Sequence, residues 1–259
     1  MRLRFLPLAL IVILAPACSR EVTQFETPDV AGPPLVQMDV AREHARQFDG
    51  DVPEREGGSQ EEQAAAAYLT GTLQQNGYFV RLDAVPVADV VRSTNLIAQP
   101  SGAPEPQVVV TLPYDTDEQH PSSGLALGVF LELSRALNVV EPHHAVHFVA
   151  LGAEYSDESG GSLGSRRLAR FMLDEGWDPL VIQLVDIEEG ASPAVSGDRA
   201  DELVRTMTAM SGPFVEFDSG SIEVDPDVFE AAGFERMLVT GDPEKLGEVL
   251  LDYLRRFTQ

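Results

Sequence analysis

The chain reads as an α/β domain in three layers, with helices on both faces of a central, mostly parallel mixed sheet. Three observations predict this. Residues 108–112, 146–151 and 181–186 are short, largely apolar runs of the kind that form strands buried on both faces. Segments with helical spacing alternate with them, as a parallel sheet with crossover helices requires. Polar groups cluster just after those strands, at the carboxyl edge, where such sheets place their sites. At 259 residues and 44% apolar content, one core of this type is sustained without disulfides. There is no internal repeat and no low-complexity tract.

In chain order, Arg2 and Arg4 form a basic start and residues 5–14 an apolar stretch interrupted by Pro7. This span is too short to cross a membrane and is the core of a signal peptide covering residues 1–17. Ala15-Pro16-Ala17 precede Cys18, the one cysteine of the chain, and this junction resembles a bacterial lipobox with Pro16 as a departure from it. The resemblance implies acylation of Cys18, and Ser19 after it resembles the pattern sorted to the outer membrane. The expected location is therefore the cell envelope, on the periplasmic face. Residues 18–36 carry Pro, Gly and polar residues without periodicity and read as a tether. The domain is expected over residues 37–259.

Residues 37–48 read as a first helix, on whose surface His44 is solvated. Ser59 and Glu62 form a capping-box pattern before an alanine-rich helix that Gly77 ends. Strands are expected from Tyr78 and around residues 95–98, then over 108–112. A densely apolar helix follows over about 123–137, a strand over 146–151, a helix over 163–175 and a strand over 181–186. Residues 201–210 read as a helix, 235–240 as a late strand and 243–257 as a closing amphipathic helix.

Charge is the outlier of the composition, with 42 acidic and 18 basic residues and a net charge of −24. Loss of Arg2 and Arg4 with the signal peptide takes this to −26. Such a field repels nucleic acid and favours cationic partners. An acidic proteome or a salty habitat produces the same charge, and the sequence leaves the two open.

Several motifs agree in order and spacing: Gly58-Ser59, Thr94 to Ala98, Tyr114-Asp115-Thr116, Ser123-Gly124 with Leu131-Glu132-Leu133, Phe148 to Glu154, Gly164-Ser165 and Asp186. Together they resemble the M28 family of zinc aminopeptidases over residues 55–190, and more weakly over 220–257. The resemblance implies an M28 peptidase-like fold and a site in which five side chains hold two metal ions. Four of the five matching positions depart from it. Pro113 stands where the family has a histidine ligand, leaving Asp115, the aspartate that orients that histidine. His120 stands at the bridging aspartate, and an imidazole does not bridge two zinc ions. Glu154 matches the general base, but the ligand after it is Tyr155. Asp186 matches a retained ligand. Asp225 and Pro226 occupy the place of the last histidine, and no histidine follows His147.

Two functional readings follow. In the first the chain is a non-catalytic member of the fold, with a binding or scaffold role, a peptide or protein ligand and no cofactor. In the second His120, Asp186 and an acid such as Asp115, Asp117 or Asp157 hold a single zinc, with Glu154 as general base in a hydrolase; a general base of this kind needs a metal-acidified water. A purely structural envelope role is a third class. His143, His144 and His147 lie at the start of a strand, where His143 and His147 are about 13 Å apart and share no ion. Residues 160–165 open a helix and could hold an anion on its first amides, although flanking Asp157 and Glu158 oppose phosphate.

Overall fold

The computed structural model describes residues 32–102, 105–118, 124–139, 145–156, 161–211, 215–216 and 227–257. Residues 1–31 with Cys18, and His120, His143, His144, Asp157, Asp225 and Pro226, lie outside the described residues. The elements in order are α1 (Met38–Asp51), α2 (Gln60–Gln75), β1 (Tyr78–Pro86), β2 (Arg92–Pro100), β3 (Val108–Pro113), α3 (Gly124–Asn138), β4 (Val146–Leu151) and α4 (Leu163–Glu175). There follow β5 (Leu180–Ile187), β6 (Ala194–Gly197), α5 (Ala200–Ser211), β7 (Val215–Glu216), α6 (Asp227–Ala231), β8 (Arg236–Gly241) and α7 (Pro243–Leu254).

The sheet has eight strands in the order β1-β2-β4-β3-β5-β8-β6-β7. Its four central strands, β4, β3, β5 and β8, run parallel, and β2 and β6 flank them antiparallel. The expected mostly parallel, mixed sheet is thus present, and its apolar runs lie in its middle. Side chains alternate across it. Val108, Val110, Leu112, Phe148 and Ala150 join the core beneath α1, α2, α3 and α7, while Val109, Val149 and Leu151 pack beneath α4 and α6. Phe148 stands edge-on between Tyr78 and Phe130, with ring centroids at 5.6 and 5.3 Å. Emptying such a position costs about 3–5 kcal/mol.

Several details differ from the sequence reading, β7 and α6 being further elements it did not contain. The packed body begins before residue 37: Val36 is buried, and the Arg135 guanidinium donates to Pro33 O (3.0 Å) and Leu35 O (2.7 Å). His44 is not solvated, because its Nδ1 lies 2.7 Å from Tyr68 Oη and the ring is half-buried. The strand β6 was not expected, being four residues long and carrying no alternation the sequence could display.

Candidate functional site

The site is built where β3, β4 and β5 end. After Pro113, residues 114–116 are strapped down on both sides. Tyr114 N donates to Leu151 O (2.9 Å), Tyr114 Oη donates to Thr94 O (2.7 Å), and Thr116 N donates to Arg55 O (3.0 Å). Arg55, at 1% exposure, sends its guanidinium to Tyr114 O (2.7 Å) and Val52 O (2.6 Å) and lies over the Phe48 ring. Burial lowers its pKa, against the charges of Asp49 and Asp115.

This strap buries Asp115. Its Oδ2 accepts from Tyr155 N at 2.9 Å, and its Oδ1 has no hydrogen-bond partner. Burial pushes its carboxyl up to about 8, although the amides of Tyr155 and Glu154 pull the other way, with the charges of Glu154 and Glu62 adding to the rise. The sequence comparison gave Asp115 a histidine to orient. Pro113 offers no such partner.

The turn after β4 is equally tight. A Cβ on Gly152 would meet Ser93 Oγ, Thr94 O and Glu62 Oε1, and Ala153 takes a left-handed φ of 52°. This turn aims Glu154 at the start of α4. Glu154 Oε2 accepts from Ser165 N (2.9 Å) and Oε1 from Ser165 Oγ (2.5 Å), while Ser162 N donates to Glu154 O (2.6 Å). The negative group at this helix start is the chain's own carboxylate. Asn95 completes the joint, donating to Gly164 O (2.8 Å) and accepting from Gly152 N (3.1 Å).

Glu62 is the residue that sequence reasoning assigned too small a part. Ser59 caps α2 as expected, accepting from Glu62 N at 2.9 Å. The Glu62 carboxylate does not return to Ser59. It accepts from Gly58 N (2.6 Å), Ser93 Oγ (2.5 Å) and Ala153 N (3.2 Å), so it ties α2 to β2 and to the turn that carries Glu154. Burial raises its pKa, and these three bonds oppose the rise.

Asp186 sits at the end of β5 with a left-handed φ of 44°, just inside a register shift between Leu184 and Ile187. Its side chain is exposed, and Thr240 Oγ1 donates to its carbonyl at 2.9 Å. The Tyr155 phenol is pushed up by burial first, with the charges of Asp115, Glu154, Asp186 and Asp117 adding to the rise. The fold thus brings Asp115, Glu154, Tyr155 and Asp186 to one edge; His120 lies outside the described residues. Among the described residues no three His, Cys, Asp or Glu side chains form a group able to hold a metal ion. The donor chemistry agrees with this: of the described residues at the positions where the resemblance places ligands, Pro113 has no donor atom in its side chain, Tyr155 offers a phenol that burial keeps protonated, and Asp186 alone offers a carboxylate. The described residues do not fit a zinc pair.

His147 lies at the other end of β4, buried and edge-on to Trp177 at 5.2 Å. Neither of its ring nitrogens has a hydrogen-bond partner, and burial lowers its pKa to about 4.

No protein family model matches the chain, and no curated protein matches it by sequence. Solved structures do match its fold. A leucine aminopeptidase precursor from Bacteroides thetaiotaomicron superposes with a TM-score of 0.70 at 18% identity, over 86% of this chain and 97% of its own. A glutaminyl cyclase from the same organism, bound to N-acetylhistamine, gives 0.67 at 16% identity, over 86% and 98%. A Zn-dependent exopeptidase from Parabacteroides distasonis gives 0.66 at 14% identity, over 86% and 99%. At these identities the likeness establishes the fold.

Proposed function

We propose that this chain is an exported, lipid-anchored protein of the zinc-exopeptidase and glutaminyl-cyclase fold that binds a peptide or protein ligand and catalyses no hydrolysis. The observation that carries the reading is the use of Glu154. The carboxylate that would serve as general base is 4% exposed, and Ser165 engages both of its oxygens. A base held in this way is buried and tied to the start of α4, not standing free in an open cleft. Pro113 and Tyr155 at ligand positions support the same reading. The anchor rests on Cys18 and the apolar segment before it, and the expected location is the periplasmic face of the outer membrane.

Elemental analysis of the full chain, purified without chelator, tests the reading together with aminopeptidase and glutaminyl-cyclisation assays. Two tightly bound zinc ions per chain, or turnover lost in Glu154→Gln, would sink it. Cys18→Ser is expected to release the protein from membranes of a bacterial host; unchanged membrane fractionation would overturn the anchor.

The second reading, a hydrolase with one zinc held by Asp186, His120 and another acid, is favoured by one observation: Asp115 and Glu154 follow β3 and β4, and Asp186 lies at the end of β5, so all three stand at one edge of parallel strands. One zinc per chain, lost in both Asp186→Ala and His120→Ala, is the result that would select it.

A further inference from the structure

β1 is the outermost strand of its side of the sheet; β2 pairs with one edge, and no described strand pairs with the other. The ladder shows which backbone groups are left over. Val87 N donates to Val91 O (3.1 Å) in continuation of the register that pairs Pro86 with Arg92. By the alternation of an antiparallel ladder, the odd residues of β1 bond to β2. Tyr78, Val80, Leu82 and Ala84 turn their N–H and C=O outward. Such an edge is a template for another strand.

The side chains of this edge are unusual for the surface around them. Phe79 is 65% exposed and Leu82 is 61% exposed, and Leu173 on the neighbouring α4 is 55% exposed. Residues 78–100 and 163–175 carry five arginines and four carboxylates, in a chain with 42 acids and 18 bases. Self-association, opposed by charge repulsion elsewhere, meets almost no net charge here.

We propose that two copies of the chain associate by pairing β1 with β1, antiparallel, about a two-fold axis at Leu82, which joins two eight-stranded sheets into one. Leu82 is the central residue of the nine in β1, so this register uses the whole strand. It sets Leu82 against the partner's Leu82 and Val80 against the partner's Ala84. It also sets Arg81 against the partner's Asp83, twice. Asp83 already receives Arg167 Nε (2.7 Å) and Nη2 (2.6 Å), so the partner's guanidinium would extend an existing ion pair. The neighbouring registers fail on charge. Centring on Arg81 opposes two arginines, and centring on Asp83 opposes two aspartates, each destabilising directly across a strand pair. This self-complementarity about one residue is what selects a second copy over a strand of unrelated sequence.

The test uses the full chain carrying Cys18→Ser, so that an introduced thiol is the only one. Facing residues of an antiparallel pair have Cα atoms about 4.5–5.5 Å apart, within disulfide range. Leu82→Cys is therefore expected to form an interchain disulfide on oxidation. Ala84→Cys is not, because the two Ala84 residues would be about 13 Å apart. In parallel, light scattering across a dilution series is expected to give the mass of two chains. Leu82→Lys, at an exposed position with circular dichroism unchanged, should weaken the dimer at least roughly tenfold. A single-chain mass at every concentration with no Leu82→Cys disulfide would leave the edge to a partner of other sequence and overturn the proposal. A dimer indifferent to Leu82→Lys, or cross-linked as readily through Ala84→Cys, would overturn it as well.

Discussion

At the carboxyl end of β4, Glu154 and its neighbours Glu62 and Asp115 are buried among amide and hydroxyl donors; at the amino end of the same strand, His147 is buried against Trp177 with neither ring nitrogen bonded. The two ends keep ionisable groups out of water by different means. The acids are bound into the backbone of turns and helix starts, so removing one exposes what it held. The imidazole is held by packing alone and stays uncharged, so its replacement by an apolar group leaves no polar atom stranded. The resemblance read from the sequence implied that Glu154 and Asp115 belong to a reaction centre, and gave Glu62 only a helix cap. Their partners show each of them fastening one element to another.

The largest effect that sharpens this contrast is expected for Glu154→Ala. It removes two bonds to a charged acceptor and leaves Ser165 N and Oγ buried without a partner. Each such bond is worth about 1.5–3 kcal/mol, so a loss of about 4 kcal/mol in chemical denaturation is expected. His147→Leu at pH 8 should change stability by less than about 1 kcal/mol. Equal losses from the two substitutions would break the contrast.

pH gives the next two effects, with opposite signs. His147 has a folded pKa of about 4, below its ordinary value of 6.5, because burial disfavours the cation. The unfolded chain takes up the proton first as pH falls. The contribution of His147 is therefore whole above about pH 6.5 and lost as pH falls toward 4, by about 3 kcal/mol. A His147→Leu chain should lack this share of the acid loss; identical acid limbs in the two chains would refute it. Asp115 runs the other way. Its folded pKa of about 8 lies above the ordinary 3.8, so stability is whole below about pH 4 and falls as pH rises through 8. Between pH 6 and 8 the loss is about 2 kcal/mol. Asp115→Asn should flatten that limb of the stability–pH curve, and an unchanged slope would show that Asp115 is already ionised.

The strands and helices were legible in the sequence because their signals are local. Residues 108–112 and 146–151 are apolar but for Thr111 and His147, and Ser59 with Glu62 marks a helix start whose cap is present at 2.9 Å. The order of strands was not legible, since β2 lies beside β4 and β8 between β5 and β6 through pairings between distant segments. At the site, the positions of Asp115, Glu154 and Asp186 after strands placed them at one edge correctly. What the residue types could not say is where their oxygens point. Glu154 reaching Ser165, and Glu62 reaching Ser93 and Ala153, depend on the left-handed turn at Ala153 and on Gly152, where a side chain would strike β2. His44 failed for a related reason: its partner Tyr68 is on another helix.

The smallest effect tests whether burial, and not capping alone, sets the cost of losing an acid at this edge. Asp242 ends β8 as Glu154 follows β4, and it also caps a helix. Its Oδ1 accepts from Glu244 N (3.1 Å) and Lys245 N (3.4 Å), and its Oδ2 from Gly190 N (2.7 Å). Burial is the largest single influence and raises its pKa, but the amides of Gly190, Lys245 and Glu244 and the charge of Lys245 together outweigh it and hold the carboxyl below its usual range. Asp242 is only half-buried, so water can replace it at the amides it leaves. Asp242→Ala should therefore cost about 1 kcal/mol, as an ordinary N-cap does. Because the folded pKa is depressed, that difference is whole above about pH 4 and vanishes as the carboxyl is protonated below it. Denaturation of wild type and Asp242→Ala at pH 7 and again in acid measures both statements. If Asp242→Ala costs as much at pH 7 as Glu154→Ala, the number of amides capped decides the loss, and burial of the carboxylate at the end of β4 explains nothing further.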